Sequence, residues 1–265
     1  MSTIVMLLGF VNAVMLMQRY NLTPAEAATG TTNVTQSVIA GTLTIVPAAT
    51  AALSSVTASV TSSQNSTGNL GTVTVTDNRG SGVGWSATAT STNFYAINSA
   101  VTTSGGNSIT TGGTYNNATG GTYTVTITTA GPPGTAQFSV AGVETLSNQP
   151  TTGGTVAVGT RGVTATFSGS YTIGNAWTIR VDTIPVTGFQ LTPGSLTTIA
   201  GSATNVTAGS VHTFSSTADA TSLITAASTG GYGMGSYSVN PALQLTIPAG
   251  TYASSYVAVV TETVL

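Results

Sequence analysis

The chain has 265 residues, enough for one large or two modest domains and for a real hydrophobic core. Charged residues make up only 4 %, and the net charge is −2; ordinary soluble domains carry roughly 25 %. There are four basic residues, all arginine and scattered, so no cation cluster can neutralise a phosphate backbone, and a nucleic-acid partner is excluded. There is no cysteine, which removes thiolate chemistry, disulfides and cysteine-based zinc sites.

Residues 3–17, TIVMLLGFVNAVMLM, form the one continuous apolar run. As a helix they reach about 22 Å, short of the roughly 30 Å bilayer core. That length fits the apolar stretch of a signal peptide, and Ala25-Glu26-Ala27 offers a small-x-small cleavage site. No basic residue precedes the run, and Arg19 follows it. Residues 1–28 are therefore expected to form a hydrophobic N-terminal helix, either a removable or anchoring leader or an assembly helix. Any membrane contact is expected through residues 3–17 only.

After residue 30 the texture changes to short runs of alternating aliphatic and hydroxylated residues. Examples are GTLTIV (41–46), LGTVTVTD (70–77), TYTVTITT (122–129), GVTATFSGSY (162–171), AWTIRVD (176–182) and YVAVVTETV (256–264). Period two gives one dry and one wet face, the pattern of antiparallel sheets. Turn signals recur every 8 to 12 residues, as in sandwiches and barrels. The only later stretch with a helical look is DATSLITAA (219–227). Gly- and Pro-rich tracts near 118–122 and 183–188 set a boundary on either side of a compact β-rich block. The expected fold class is all-β: an antiparallel β-sandwich over 29–118 and 185–265, with an inserted small β domain at 119–184.

The segment TVTVTDNRGSGVGWSATATS (72–91) gathers Asp77, Arg79 and Trp85 in a chain poor in all three types. TVTVTD reads as a strand and NRGSGVG as a reversing loop. Asp77 can accept backbone N–H bonds from the residues that follow it. Arg79 can pair with Asp77 or fork onto carbonyls. Gly80, Gly82 and Gly84 supply backbone freedom, including positive φ. Trp85 then opens the next strand, either capping the core or offering a flat outer platform.

VTDNRGSGVGWS (75–86) resembles the first signature of the WxL domains, cell-surface domains of Gram-positive bacteria. LTIPAGTYASSYVAVVTETVL (245–265), which contains Tyr256, is similar to their second signature, and SVIAGTLTI (37–45) looks like their opening strand. The resemblance covers about 36–97 and 185–265. It implies secretion and non-covalent attachment to the cell wall, with the tryptophan motifs implicated. Two positions depart from the pattern. Ala87 follows Trp85 and Ser86 where the name-giving motif wants leucine, and Glu262 or a neighbour stands where the second tryptophan would be.

His212 is the only histidine, and in VHTF it reads as a side chain on a sheet face; Asp219 lies seven residues on. The six carboxylates, Glu26, Asp77, Glu144, Asp182, Asp219 and Glu262, are spread singly, with no calcium-loop or glycosidase spacing. GGNSITTGG (105–113) and TGGYGMG (229–235) lack the lysine of a phosphate-binding loop. Tyr232, Tyr237, Tyr252 and Tyr256 cluster late in the chain, as packing pairs or as a binding face. No catalytic residue, metal ligand set or cofactor is expected. The expected function is that of a non-catalytic secreted protein associating with, or displayed on, the cell envelope, its partner a cell-wall polymer or identical subunits. One alternative is a structural subunit of an extracellular filament, sheath or surface layer, assembled by strand or helix docking. Another is a carbohydrate-binding module using Trp85 or Trp177.

Overall fold

The computed structural model describes residues 33–228 and 233–265. The helix expected at 1–28, with its membrane-contacting stretch, lies outside them. Residues 1–39 and 40–265 form two separate units. Of the first, residues 33–39 belong to no strand or helix; Val34, Val38 and Ile39 are 91, 91 and 90 % exposed.

The second unit is all-β and antiparallel, as the alternation predicts. Its one helical element among the described residues is a 3₁₀ turn at Val186–Gly188. None of the described helices is long and apolar enough to cross a membrane. Three sheets surround a first core. One places Val73–Asp77 and Gly235–Val239 between the edges Leu43–Val46 and Thr197–Gly201. Another runs from His212–Thr213 through Phe189–Thr192, Ala242–Ile247 and Gln64–Asn69 to Ala52–Leu53. The third holds Val206–Ala208, Thr221–Ala226, Trp85–Ser91 and Val260–Val264. The inward rows, such as Val73 and Val75 or Ala87 and Ala89, are solvent-free, and the alternate threonines are half-buried.

A second core is enclosed by two further sheets. The larger orders Leu146–Pro150, Gln137–Gly142, Gly121–Thr129, Ala176–Ile184 and Phe94–Ile97, with Val101–Ser104 also on Ala176–Ile184. The smaller orders Thr155–Ala157, Val163–Phe167 and Ile109–Gly113. Trp177, Tyr171, Phe167 and Phe138 stack and cross at its centre, with neighbouring centroids 5.1 to 6.1 Å apart. This core draws on residues upstream of 119 as well. Ile109 and Tyr115 lie within it, and Tyr95 and Ile97 pack against it. Two paired strands run through both cores. Phe94 and Ile184 belong to the first, and Trp177, Ile179 and Val181 to the second.

The helical reading of 219–227 is corrected: Thr221–Ala226 is a strand on Trp85–Ser91. Thr and Ile are stiff, β-favouring side chains. The consecutive apolar pair Leu223–Ile224, which breaks the alternation in the sequence, sits at a register shift between Ser222 and Ile224. The extra residue of such a bulge lets both side chains face the core, and both are buried.

Candidate functional site

Asp77 occupies the last inward position of its strand, in line with Val73 and Val75, and its side chain is 0 % exposed. A carboxylate there must be compensated. Arg79 does so with a two-pronged pair, its Nε donating to Oδ1 at 3.0 Å and its Nη2 to Oδ2 at 3.1 Å. The Arg79 backbone N–H adds a bond to Oδ1 at 2.9 Å, closing an Asx turn. Burial pushes the Asp77 carboxyl up, but the Arg79 donors outweigh it and hold it below its ordinary value. The same guanidinium donates to the Gly84 carbonyl at 2.8 Å, so it ties the start of the loop to its end.

Gly80, Gly82 and Gly84 all have positive φ. At Gly84 the need is double: φ is +75°, and a Cβ would lie 2.7 Å from the Ala226 carbonyl oxygen and the Ser228 nitrogen. This close approach seats the loop and aims Trp85 inward. The indole is 4 % exposed, packs against Tyr237 at 5.8 Å and donates its N–H to the Gly233 carbonyl at 3.0 Å. Trp177 is fully buried too, with its N–H on the Asn107 carbonyl. Neither indole offers a platform to a sugar, which removes the basis of a carbohydrate-binding reading built on Trp85 or Trp177.

Tyr256 lies on a strap, residues 248–259, that spans the two cores. Its hydroxyl donates to the Tyr252 carbonyl at 3.0 Å, and burial pushes it up to about 12. The Tyr252 ring lies 3.0 Å under the Arg180 guanidinium, a cation–π contact. Arg180 grips Asp182 with Nε and Nη2, both at 2.9 Å. Ser254 donates to Asn98 Oδ1 at 2.7 Å. The sequence holds a signal for this second brace, because residues i and i+2 of AWTIRVD share a strand face. Tyr252 has no such signal and joins the brace only through the fold.

The remaining carboxylates are held locally. Glu144 accepts from the Tyr123 hydroxyl at 2.9 Å, and from the N–H and hydroxyl of Thr160 at 3.0 and 2.6 Å. Asp219 Oδ2 accepts from the Ser215 N–H at 2.7 Å and hydroxyl at 2.8 Å, and lies 3.0 Å from His212 Nε2. These partners bring the Asp219 carboxyl down to about 2. His212, Asp219 and a serine do come together, but Ser215 directs its hydroxyl to the acid. A base that activates a serine needs that hydroxyl on its own free nitrogen. Among the described residues no three His, Asp or Glu side chains converge on a point that could hold a metal ion.

Comparison of the chain with family models, with curated proteins and with solved structures finds no match.

Proposed function

We propose that this chain is a non-catalytic, secreted cell-surface protein that associates with, or is displayed on, the cell envelope, without a cofactor. One observation carries the non-catalytic part. Four of the five described Asp and Glu side chains are engaged in a hydrogen-bonded brace: Asp77 and Asp182 by an arginine two residues away, and Glu144 and Asp219 by backbone N–H and hydroxyl groups. Groups spent on fixing loops are not free to move protons. The envelope part draws on the resemblance of 75–86 and 245–265 to the WxL signatures. Purified protein mixed with peptidoglycan sacculi and centrifuged is expected in the pellet; protein that stays in the supernatant removes wall association.

A second reading, a structural subunit of a filament, sheath or surface layer, is supported by the exposed aliphatic residues Val34, Val38 and Ile39. Exposed apolar rows of this kind ask for a partner.

A further inference from the structure

A groove of about 540 Å³ opens in the second unit between residues 51–59 and residues 251–260. Its floor is the first core, with Phe94, Ile184, Phe189, Leu243, Leu245 and Ile247 lining it. Among the described residues no Asp, Glu, Arg or His takes part in the lining. Both walls are backbone edges that, among the described residues, are paired on their far side only. On one, Val257 exchanges two backbone hydrogen bonds with Tyr95, both at 2.9 Å, and the Thr92 N–H reaches the Val259 carbonyl at 3.0 Å. Antiparallel alternation then turns the N–H and C=O of Ala258 and Val260 to the opposite side, and both residues line the groove. On the other wall, Leu53 pairs with Gly68 and the Ser54 N–H bonds the Thr67 carbonyl at 2.8 Å. Residues 55–58, which follow, make no backbone hydrogen bond among the described residues.

Two such edges over an apolar floor are what a sheet lacking one strand leaves. Main-chain hydrogen bonds would bind an added strand, and the floor would select its side chains. The absence of charge calls for an uncharged occupant, because a buried lone charge is costly. Residues 33–41, NVTQSVIAG, meet these terms. They carry no charge, Val34 and Val38 would fall on one face of an added strand, and Val34, Val38 and Ile39 stand exposed in the chain itself. We propose that the groove receives residues 33–39 of a second copy as an added strand. Each copy then offers one segment and one groove, a head-to-tail contact that can propagate from copy to copy into an open chain of subunits. This inference rests on the structural-subunit reading.

The cysteine-free chain makes the test direct. Full-length variants carrying one cysteine each, Val38→Cys and Ala58→Cys or Val38→Cys and Ser55→Cys, are mixed under mild oxidation. The expected result is a disulfide-linked heterodimer, reduced by excess synthetic peptide of residues 33–42. A Val38→Asp/Ile39→Asp variant is expected to lose self-association at least about 100-fold, with an unchanged melting temperature because both side chains are exposed. Two results overturn the proposal: no heterodimer, or, in the Val38→Cys/Ala58→Cys double variant at high dilution, a disulfide within one chain and none between chains. Electron micrographs separate the two readings. Filaments that persist in the double-aspartate variant refute the docking while the subunit reading stands; wild-type protein without filaments, together with cysteine variants that form no heterodimer, refutes both.

Discussion

Replacing Arg79 by methionine tests whether the ion pair is what makes the buried Asp77 tolerable. The substitution keeps the apolar stem and removes the guanidinium. Asp77, whose side chain is 0 % exposed, is left with the Arg79 backbone N–H as its one remaining donor. Stranding a buried charge in this way costs about 3–5 kcal/mol. Loss of two charge-assisted hydrogen bonds at about 1.5–3 kcal/mol each gives a similar figure. At about 2–4 °C per kcal/mol for a chain of this size, the melting temperature at pH 7 should fall by about 6–20 °C. The sign with pH is also fixed. In the wild type the folded pKa is lowered, so its stabilisation is present above the unfolded value near 3.9 and is lost as pH falls towards the folded value. In the variant, burial acts without the guanidinium and raises the folded pKa, so the penalty is present at neutral pH and fades as acid protonates Asp77. Calorimetric melts from pH 7 to pH 4 should show the gap between the two proteins narrowing. A loss under about 1 kcal/mol, or a gap that stays constant, would refute the compensation argument. The Asp77→Ala/Arg79→Met double variant should be more stable than Arg79→Met alone.

Three further outcomes follow from the same geometry. Gly84→Ala places a Cβ at positive φ and against the Ala226 carbonyl, so chemical denaturation should report a loss above about 1 kcal/mol. Trp85→Ala empties a seat in the first core and should cost about 3–5 kcal/mol; Trp85→Phe, which keeps most of the contact and forfeits the bond to Gly233, should cost markedly less by the same assay. Burial pushes the Glu262 carboxyl up, outweighing the N–H groups of Glu262 and Ala48. The penalty therefore appears as pH rises past the unfolded value near 4.3 and through the folded one. Glu262→Gln should raise the melting temperature at pH 7 and leave it nearly unchanged at pH 4; equal effects at both would contradict a desolvated carboxylate.

Strands with aliphatic–hydroxyl alternation are legible in the residues themselves. VTVTD, WSATATS and VTATF form strands with strictly alternating burial, because each packs one face on a core. Gln64–Asn69, QNSTGN, is not legible. It lies between Ala242–Ile247 and Ala52–Leu53, yet Ser66 is its one buried side chain, so period two leaves no hydrophobic trace. Val101–Ser104 is exposed at every position and held by the ladder alone, which hides the upstream reach of the second core. At the candidate site, the spacing of Asp77, Arg79 and Trp85 is enough to group them. The Gly233 carbonyl that anchors the indole is 148 residues away, and the groove is assembled from segments nearly 200 residues apart, so neither has a local signature.

The two strands that run through both cores, Phe94–Ile97 and Ala176–Ile184, have a mechanical consequence. A pleated ribbon resists bending across its hydrogen-bonded width, so these shared strands stiffen the junction between the two cores. Were the molecule displayed on the envelope as proposed, that junction would hold its second lobe out like a bracket arm in place of a tethered bead. Heat should dissolve both lobes in one step, because neither can shed its share of the ribbon while the other keeps it.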